Sequence, residues 1–239
     1  MRHVRAVVLA WLVAVLSLVG SACYVPGPQH PTPSERAAIV EITGTTLTEW
    51  GPRRWTGTGT YIGNRGNTGL LVTAGHVCDG SPIVTSYTDE NGAVLLPIYD
   101  HDTDADDTCI MISDRKAPAV IHVGSEPPAP GDLVSYSGYP SGSRGTFRGE
   151  VESTSADGRI SVTIPVYFGA SGSVLLNWNG EAVGILSTGD MRFHHHAWFI
   201  GPAALWRAYT YGQQYLADLY SNPYLTTVGT LTGITVHRD

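Results

Sequence analysis

Lysine is almost missing from this sequence: Lys116 is the only one in 239 residues. Basic residues number 14 against 21 acidic ones, the formal net charge is −7, and only 15% of the chain is charged. A nucleic-acid partner needs clustered Lys and Arg to displace counterions, so that class of function is excluded. Long apolar runs are missing too. The longest, residues 6–19, has about 14 residues, too few to cross roughly 30 Å of hydrocarbon. Disorder is excluded by the opposite quantity, since 42% of the residues are hydrophobic. What remains is a folded chain long enough for one domain or two small ones.

The N-terminus reads as an export signal over residues 1–22. Arg2 and Arg5 precede the apolar run, and Gly20-Ser21-Ala22 places small residues before Cys23. The segment VGSAC resembles a bacterial lipobox, with Gly20 where Leu is usual, so Cys23 is a candidate lipidation site and membrane tether. Simple cleavage near Ala22 is the alternative. Residues 23–35 are rich in proline and read as an extended linker. An exported chain, secreted or held in the bacterial envelope, meets oxidising conditions. Cys78 and Cys109 then suggest one disulfide, the alternative being two buried thiols.

From residue 36 onward the chain alternates short Val/Ile/Thr/Tyr-rich runs with Gly, Pro, Asn and Asp clusters such as GNRGNTG (63–69) and SADG (155–158). Strands are expected at 37–43, 57–62, 69–73, 83–88, 93–99, 108–113, 132–138, 146–154, 159–165, 173–178, 182–187 and 197–200. Strands at this spacing argue for an all-β barrel or sandwich. The stretch EPPAPGD (126–132) would connect two β-subdomains. One long helix is expected after Pro202, over 203–220, with Leu205, Tyr209, Leu216 and Tyr220 on one face. Residues 221–239 form a tail with β-like composition.

Hydrolysis by a serine nucleophile needs a hydroxyl on a sharp turn, an imidazole to take its proton and a carboxylate to orient that imidazole. The sequence offers all three, in the order His, Asp, Ser. The serine segment is VYFGASGSVLLNWNGEAVGILS (166–187), with Ser171 between Gly169 and Gly172. The histidine segment is LLVTAGHVCDG (70–80), in which an apolar strand ends on Thr-Ala-Gly before His76. The carboxylate lies in DHDTDADDTCIMISD (100–114). An acidic cluster of this kind is also compatible with a solvated loop or a cation site.

Taken together, these segments resemble chymotrypsin-fold serine proteases, in particular the trypsin-like and bacterial high-temperature-requirement groups. TGTGTYIG (56–63), SYSGYPSG (135–142), TFRGEVES (146–153) and HAWFIGPAALW (196–206) extend the resemblance over roughly residues 36–220. It implies two six-stranded antiparallel β-barrels, about 36–118 and 130–201, followed by a C-terminal helix. It also implies a serine endopeptidase acting on protein or peptide substrates, with no cofactor and no metal. A monomer is expected. Ser171 would be the nucleophile, His76 the base, and the amides of Gly169 and Ser171 the oxyanion hole. The family's Asp stands directly before a short apolar strand, which fits Asp107, with Asp106 as runner-up. Cys78 and Cys109 each lie two residues beyond their triad member, so a bridge would pin His76 to Asp107. Ser187, Thr188 and Gly189 would line one side of the substrate, and residues 165–168 the other.

The departures are informative. Residue 170 is Ala where many members carry an acid that pairs with a newly cut N-terminal amine, so activation by N-terminal insertion is not expected. Ser173 replaces a common glycine. His194, His195 and His196 cannot converge on one metal if they lie along a strand; surface positions, or one histidine near the substrate pocket, fit better. The rival readings are a catalytically silent protease-fold protein that binds peptides, and an anchored interaction protein using the acidic loop and the His run.

Overall fold

Alternating β-branched and small residues let strands bury one side chain in two, and antiparallel pairing by short turns closes such strands into barrels. The computed structural model describes residues 30–78, 84–103, 106–190 and 195–221. The apolar run of the N-terminus, Cys23, most of the linker and residues 222–239 lie outside the described residues.

The first barrel is built from β1 (Ile39–Thr48), β2 (Gly51–Arg65), β3 (Thr68–Thr73), β4 (Val84–Asp89), β5 (Val94–Thr103) and β6 (Asp106–Ser113). The second contains β7 (Leu133–Gly138), β8 (Gly145–Thr154), β9 (Arg159–Thr163), β10 (Val174–Leu176), β11 (Ala182–Gly189) and β12 (His196–Ile200). Each sheet closes on itself, in the orders β1-β2-β3-β6-β5-β4 and β10-β11-β12-β9-β8-β7. Three α-helices, α1 (Pro33–Arg36), α2 (Gly75–Cys78) and α3 (Pro202–Ser221), and a 3₁₀ turn (Pro140–Gly142) complete the described fold.

There are two apolar cores, and the first reaches across the seam to Val174, Leu176 and Ile185 of the second barrel. Ile39, Ile42, Leu71, Ile110 and Ile112 are fully buried in the first. Val134, Tyr136, Ile160, Val162 and Phe199 fill the second, where Tyr136 stacks on Phe147 with ring centroids 5.0 Å apart.

Helix α3 lies on the first barrel, although it follows the second in sequence. Leu205, Ala208 and Leu216 are buried, and Gly212 allows the close approach: a Cβ there would sit 2.7 Å from Leu70 Cδ1. Of the four residues expected to share its buried face, Leu205 and Leu216 are covered, Tyr209 is half-buried, and Tyr220 stays exposed while its hydroxyl lies 2.9 Å from Thr68 Oγ1. This cover explains why every residue of β6 after Asp106 is buried. One barrel face alone would leave alternate residues in water.

The hairpin β1–β2 is longer than its sequence suggests. It pairs down to Thr48 with Gly51, although Pro52, Arg53 and Arg54 carry no strand signal. Those three residues are exposed, so no core selects apolar side chains for them. Residues 30–36 dock on the second barrel: the Ser135 hydroxyl donates to the His30 carbonyl (2.8 Å), and Thr32 and Glu35 form a capping box around α1.

A disulfide joins Cys78, at the end of α2, to Cys109 on β6, with Cα atoms 6.3 Å apart across a sequence separation of 31. A loop of that length implies about 3–4 kcal/mol of stabilisation on the chain-entropy argument. Replacing both cysteines by serine is expected to lower the thermal midpoint by roughly 10 °C. Calorimetry of the double variant checks this, and an unchanged midpoint would contradict it.

Candidate active site

The site is assembled on the seam between the barrels. Strand β3 runs through the first core and ends at Thr73; the chain then turns through α2, which presents His76 half-exposed at the seam. Strand β6, hydrogen-bonded beside β3 with Thr73 opposite Cys109, carries Asp107 into the same corner.

His76 and Asp107 meet at two points. The His76 amide donates to Asp107 Oδ1 (2.8 Å), and His76 Nδ1 lies 2.8 Å from Oδ2. An ionised carboxylate can only accept, so Nδ1 carries the proton and Nε2 is left with its lone pair. That is the tautomer a general base requires. Burial pushes the Asp107 carboxyl upward, but hydrogen bonds from the His76 ring, the Ser187 hydroxyl and the His76 amide outweigh it, and its pKa lies below the ordinary carboxylate range. The native state therefore favours the ionised form. This contribution to stability is complete above the unfolded carboxylate pKa and is lost as pH falls through the depressed one.

Adjacent residues of a strand face opposite ways, and β6 uses this to separate its two acids. Asp107 is only 4% exposed and faces His76. Asp106 turns to the helix, where Arg207 Nη2 donates to its Oδ2 at 2.8 Å. The two candidates that the sequence left open therefore have different partners, His76 for Asp107 and Arg207 for Asp106. Side chains at 100–105 lie outside the described residues.

Ser171 stands on the loop between β9 and β10. Gly169 (φ 90°) and Gly172 (φ 86°) both need the left-handed region that glycine tolerates. At Gly172 a Cβ would also collide with Thr73 Oγ1 and lie 2.9 Å from Ala74 N, so the serine loop is pressed onto the segment leading to His76. Among the described residues no hydrogen bond joins the Ser171 hydroxyl to His76; such bonds often tighten only when substrate binds.

The peptides around Ser171 are oriented through their carbonyls. The Phe168 carbonyl accepts from the Ser141 amide (2.8 Å), and the Ala170 carbonyl accepts from the Ser173 amide (3.0 Å). In a trans peptide the N–H points away from its carbonyl, so the amides of Gly169 and Ser171 are turned to the opposite side. Among the described residues neither finds a protein acceptor. Two free, fixed N–H donors beside a serine hydroxyl can receive an oxyanion.

The segments expected to flank the substrate also meet. A Cβ on Gly189 would collide with Val166, which is buried. Thr188 is exposed, and Ser187 reaches Asp107. That second role for Ser187 was not visible in sequence, because it depends on a β11 side chain reaching across the seam. His195 is exposed, His196 Nδ1 lies 3.2 Å from Glu152 Oε2, and His194 lies outside the described residues. A surface cavity of about 690 Å³ opens between Leu133, Arg148, Glu150 and Thr163, and none of the residues lining it is a candidate site residue.

Residues 57–185 match the trypsin-like peptidase domain family. The chain belongs to this family. Solved structures with the same fold include an inactive form of Rv3671c from M. tuberculosis H37Rv bearing a Ser-to-Ala substitution. It is 16% identical, with 78% of this chain and 92% of that chain covered, at a TM-score of 0.59. A serine endoprotease from Yersinia pestis is 22% identical over 79% of this chain and 68% of that one, at a TM-score of 0.59. The HtrA-type protease AlgW with a tripeptide is 16% identical over 70% and 57%, at a TM-score of 0.58. A search of the curated proteins found no match.

The two acids of β6 should separate in activity. Asp107→Asn keeps the shape but favours the wrong imidazole tautomer, and a loss of about 10⁴-fold in kcat is expected. Asp106→Asn weakens an ion pair with an exposed Arg207 and leaves the bonds between His76 and Asp107 in place, so kcat should stay within a few-fold. Steady-state hydrolysis of a peptide by both variants checks the assignment, and the reverse ranking would overturn it.

Proposed function

We propose that this protein is an exported serine endopeptidase in which Ser171 attacks the scissile carbonyl. His76 Nε2 takes the hydroxyl proton as the Oγ–C bond forms, and later gives it to the leaving amine as the C–N bond breaks. The acyl-enzyme is then hydrolysed by water activated on the same imidazole. Asp107 holds the imidazole and stabilises its charged form, and the amides of Gly169 and Ser171 hold the oxyanion. The observation that carries this reading is the two-point bond between His76 and a buried, ionised Asp107, placed against the serine loop. A surface histidine without a catalytic role has no need of such a partner.

Ala170 supports activity without N-terminal insertion, because it leaves no acid before Ser171 for a new amine to pair with. The disulfide supports export, since such bonds persist in oxidising compartments. The N-terminal segment with Cys23 supports a route through the membrane, with a lipid tether as its end point.

The decisive experiment is labelling of the purified domain by a fluorophosphonate probe, with Ser171→Ala as control. Modification at Ser171 in the parent and none in the variant is expected. An unlabelled parent would favour a silent binding protein.

The pH profile follows from the same geometry. Asp107 is held below the usual carboxylate range, so the acid limb belongs to His76. Its ordinary pKa is about 6.5, and kcat/KM should fall as pH drops through about 6–7. Full activity at pH 4 would sink the base assignment.

A further inference from the structure

We propose that two buried hydroxyls, those of Thr58 and Ser173, lock the oxyanion loop in its working conformation and so do the work that an acid–amine pair does in zymogen-type relatives. This rests on the endopeptidase reading above and adds two positioning residues to it.

Four consecutive peptides of the loop are each held. The Phe168 carbonyl accepts from the Ser141 amide (2.8 Å). Next, the Gly169 carbonyl accepts from the Thr58 hydroxyl (2.8 Å), while the Ala170 amide donates to the Tyr167 carbonyl (3.1 Å). The Ala170 carbonyl accepts twice from Ser173, from its amide (3.0 Å) and its hydroxyl (2.6 Å). Last, the Ser171 carbonyl accepts from the Thr58 amide (2.8 Å), while the Gly172 amide donates to the Leu186 carbonyl (2.9 Å). The donors left over are the two oxyanion amides.

Thr58 is the centre of this arrangement. Its hydroxyl donates to Gly169 and accepts from the Tyr139 amide (3.0 Å), so one atom ties the oxyanion loop to the turn that carries Ser141. Its own carbonyl accepts from the Thr73 hydroxyl (2.7 Å), three residues before His76. Both Thr58 and Ser173 are fully buried. Water cannot easily replace either hydroxyl, and a loop with one peptide turned over would strand a buried donor or acceptor. Serine and threonine alone match this need, because a hydroxyl both gives and takes a hydrogen bond at one small atom.

The test uses diisopropyl fluorophosphate, a reagent too small to depend on extended substrate contacts. Its second-order rate of reaction at Ser171 reads the nucleophile, the base and the oxyanion hole. Thr58→Val should slow it by about 10–100-fold, with the pH midpoint of the reaction unchanged. Thr58→Ser, which keeps the hydroxyl, should stay within about 3-fold of the parent. Ser173→Ala should slow the reaction by several-fold at an unchanged midpoint; it provides an independent arm if Thr58→Val fails the check of a parent-like circular dichroism spectrum. Thr58→Val reacting like the parent, Thr58→Ser falling as far as Thr58→Val, or a midpoint displaced by more than about half a pH unit would each overturn the lock. In the independent arm, Ser173→Ala at the parental rate would do the same. An unreactive parent would instead bring down the endopeptidase reading, and the lock with it.

Discussion

Everything at this site depends on hydrogen bonds that cross between two barrels, each of which is already closed. A closed barrel satisfies its own backbone and offers no free edge for strand pairing. The relation between the halves is then set by apolar packing along the seam, where Val174, Leu176 and Ile185 join the first core, and by loop amides, a few side chains and the connector. Thr58 supplies such bonds in the middle of the seam. At one side, Arg144 donates to the Ile39 carbonyl (3.0 Å) and to Glu90 (2.9 Å). At the other, the Gly124 amide donates to the Ala182 carbonyl, and the Ala182 amide to that of His122 (2.9 and 2.8 Å). Because His76 comes from one barrel and Ser171 from the other, the chemistry proposed for them is only as precise as this seam.

The first barrel contributes a different kind of constraint. Asp107 is buried, and a carboxylate there is tolerable only if donors surround it. Its donors are the group it orients, that group's own amide, and a hydroxyl from the second barrel. Satisfying the charge and fixing the imidazole are therefore the same set of contacts. The disulfide restrains the same corner, since its half-cystines follow His76 and Asp107 by two residues each. Asp106, turned to the opposite face of β6, pairs with Arg207 of α3 instead.

Much of this was legible in the sequence, and the reason is local. Strands such as Leu133–Gly138 and Arg159–Thr163 carry Val, Ile and Tyr on alternate positions, with Gly138 and Pro165 at or just past their ends, so pattern and fold agree. His76, Asp107 and Ser171 stood out because each belongs to a short motif. The extension of β2 back to Gly51 was not legible, because exposed strand residues face no core and keep no pattern. The part played by Thr58 was hidden for another reason. TGTGTYIG looks like a run of small residues, and nothing in it says that one hydroxyl will be fully buried against a loop 111 residues away. Ser173 reads in sequence only as the replacement of a common glycine, whereas its hydroxyl holds the Ala170 carbonyl, one residue before Ser171. Long-range hydrogen bonds have no local signature.

Ala170 brings these points together. It is fully buried and belongs to the apolar core of the second barrel with Val166 and Leu186. An ionised acid at that position would be stable only opposite a cation, and a fold that depends on such a pair waits for the cation to be delivered. A methyl group waits for nothing. The order of the loop must then come from bonds made when the chain folds, and the four peptides held around Ser171 supply them. Stranding one buried partner costs about 1–3 kcal/mol, so each intact bond biases the loop toward the working form by roughly 5–150-fold. On the proposed reading, several such bonds acting on one short loop take the place of a separate activating step, and this is the physical argument for an enzyme competent once folded.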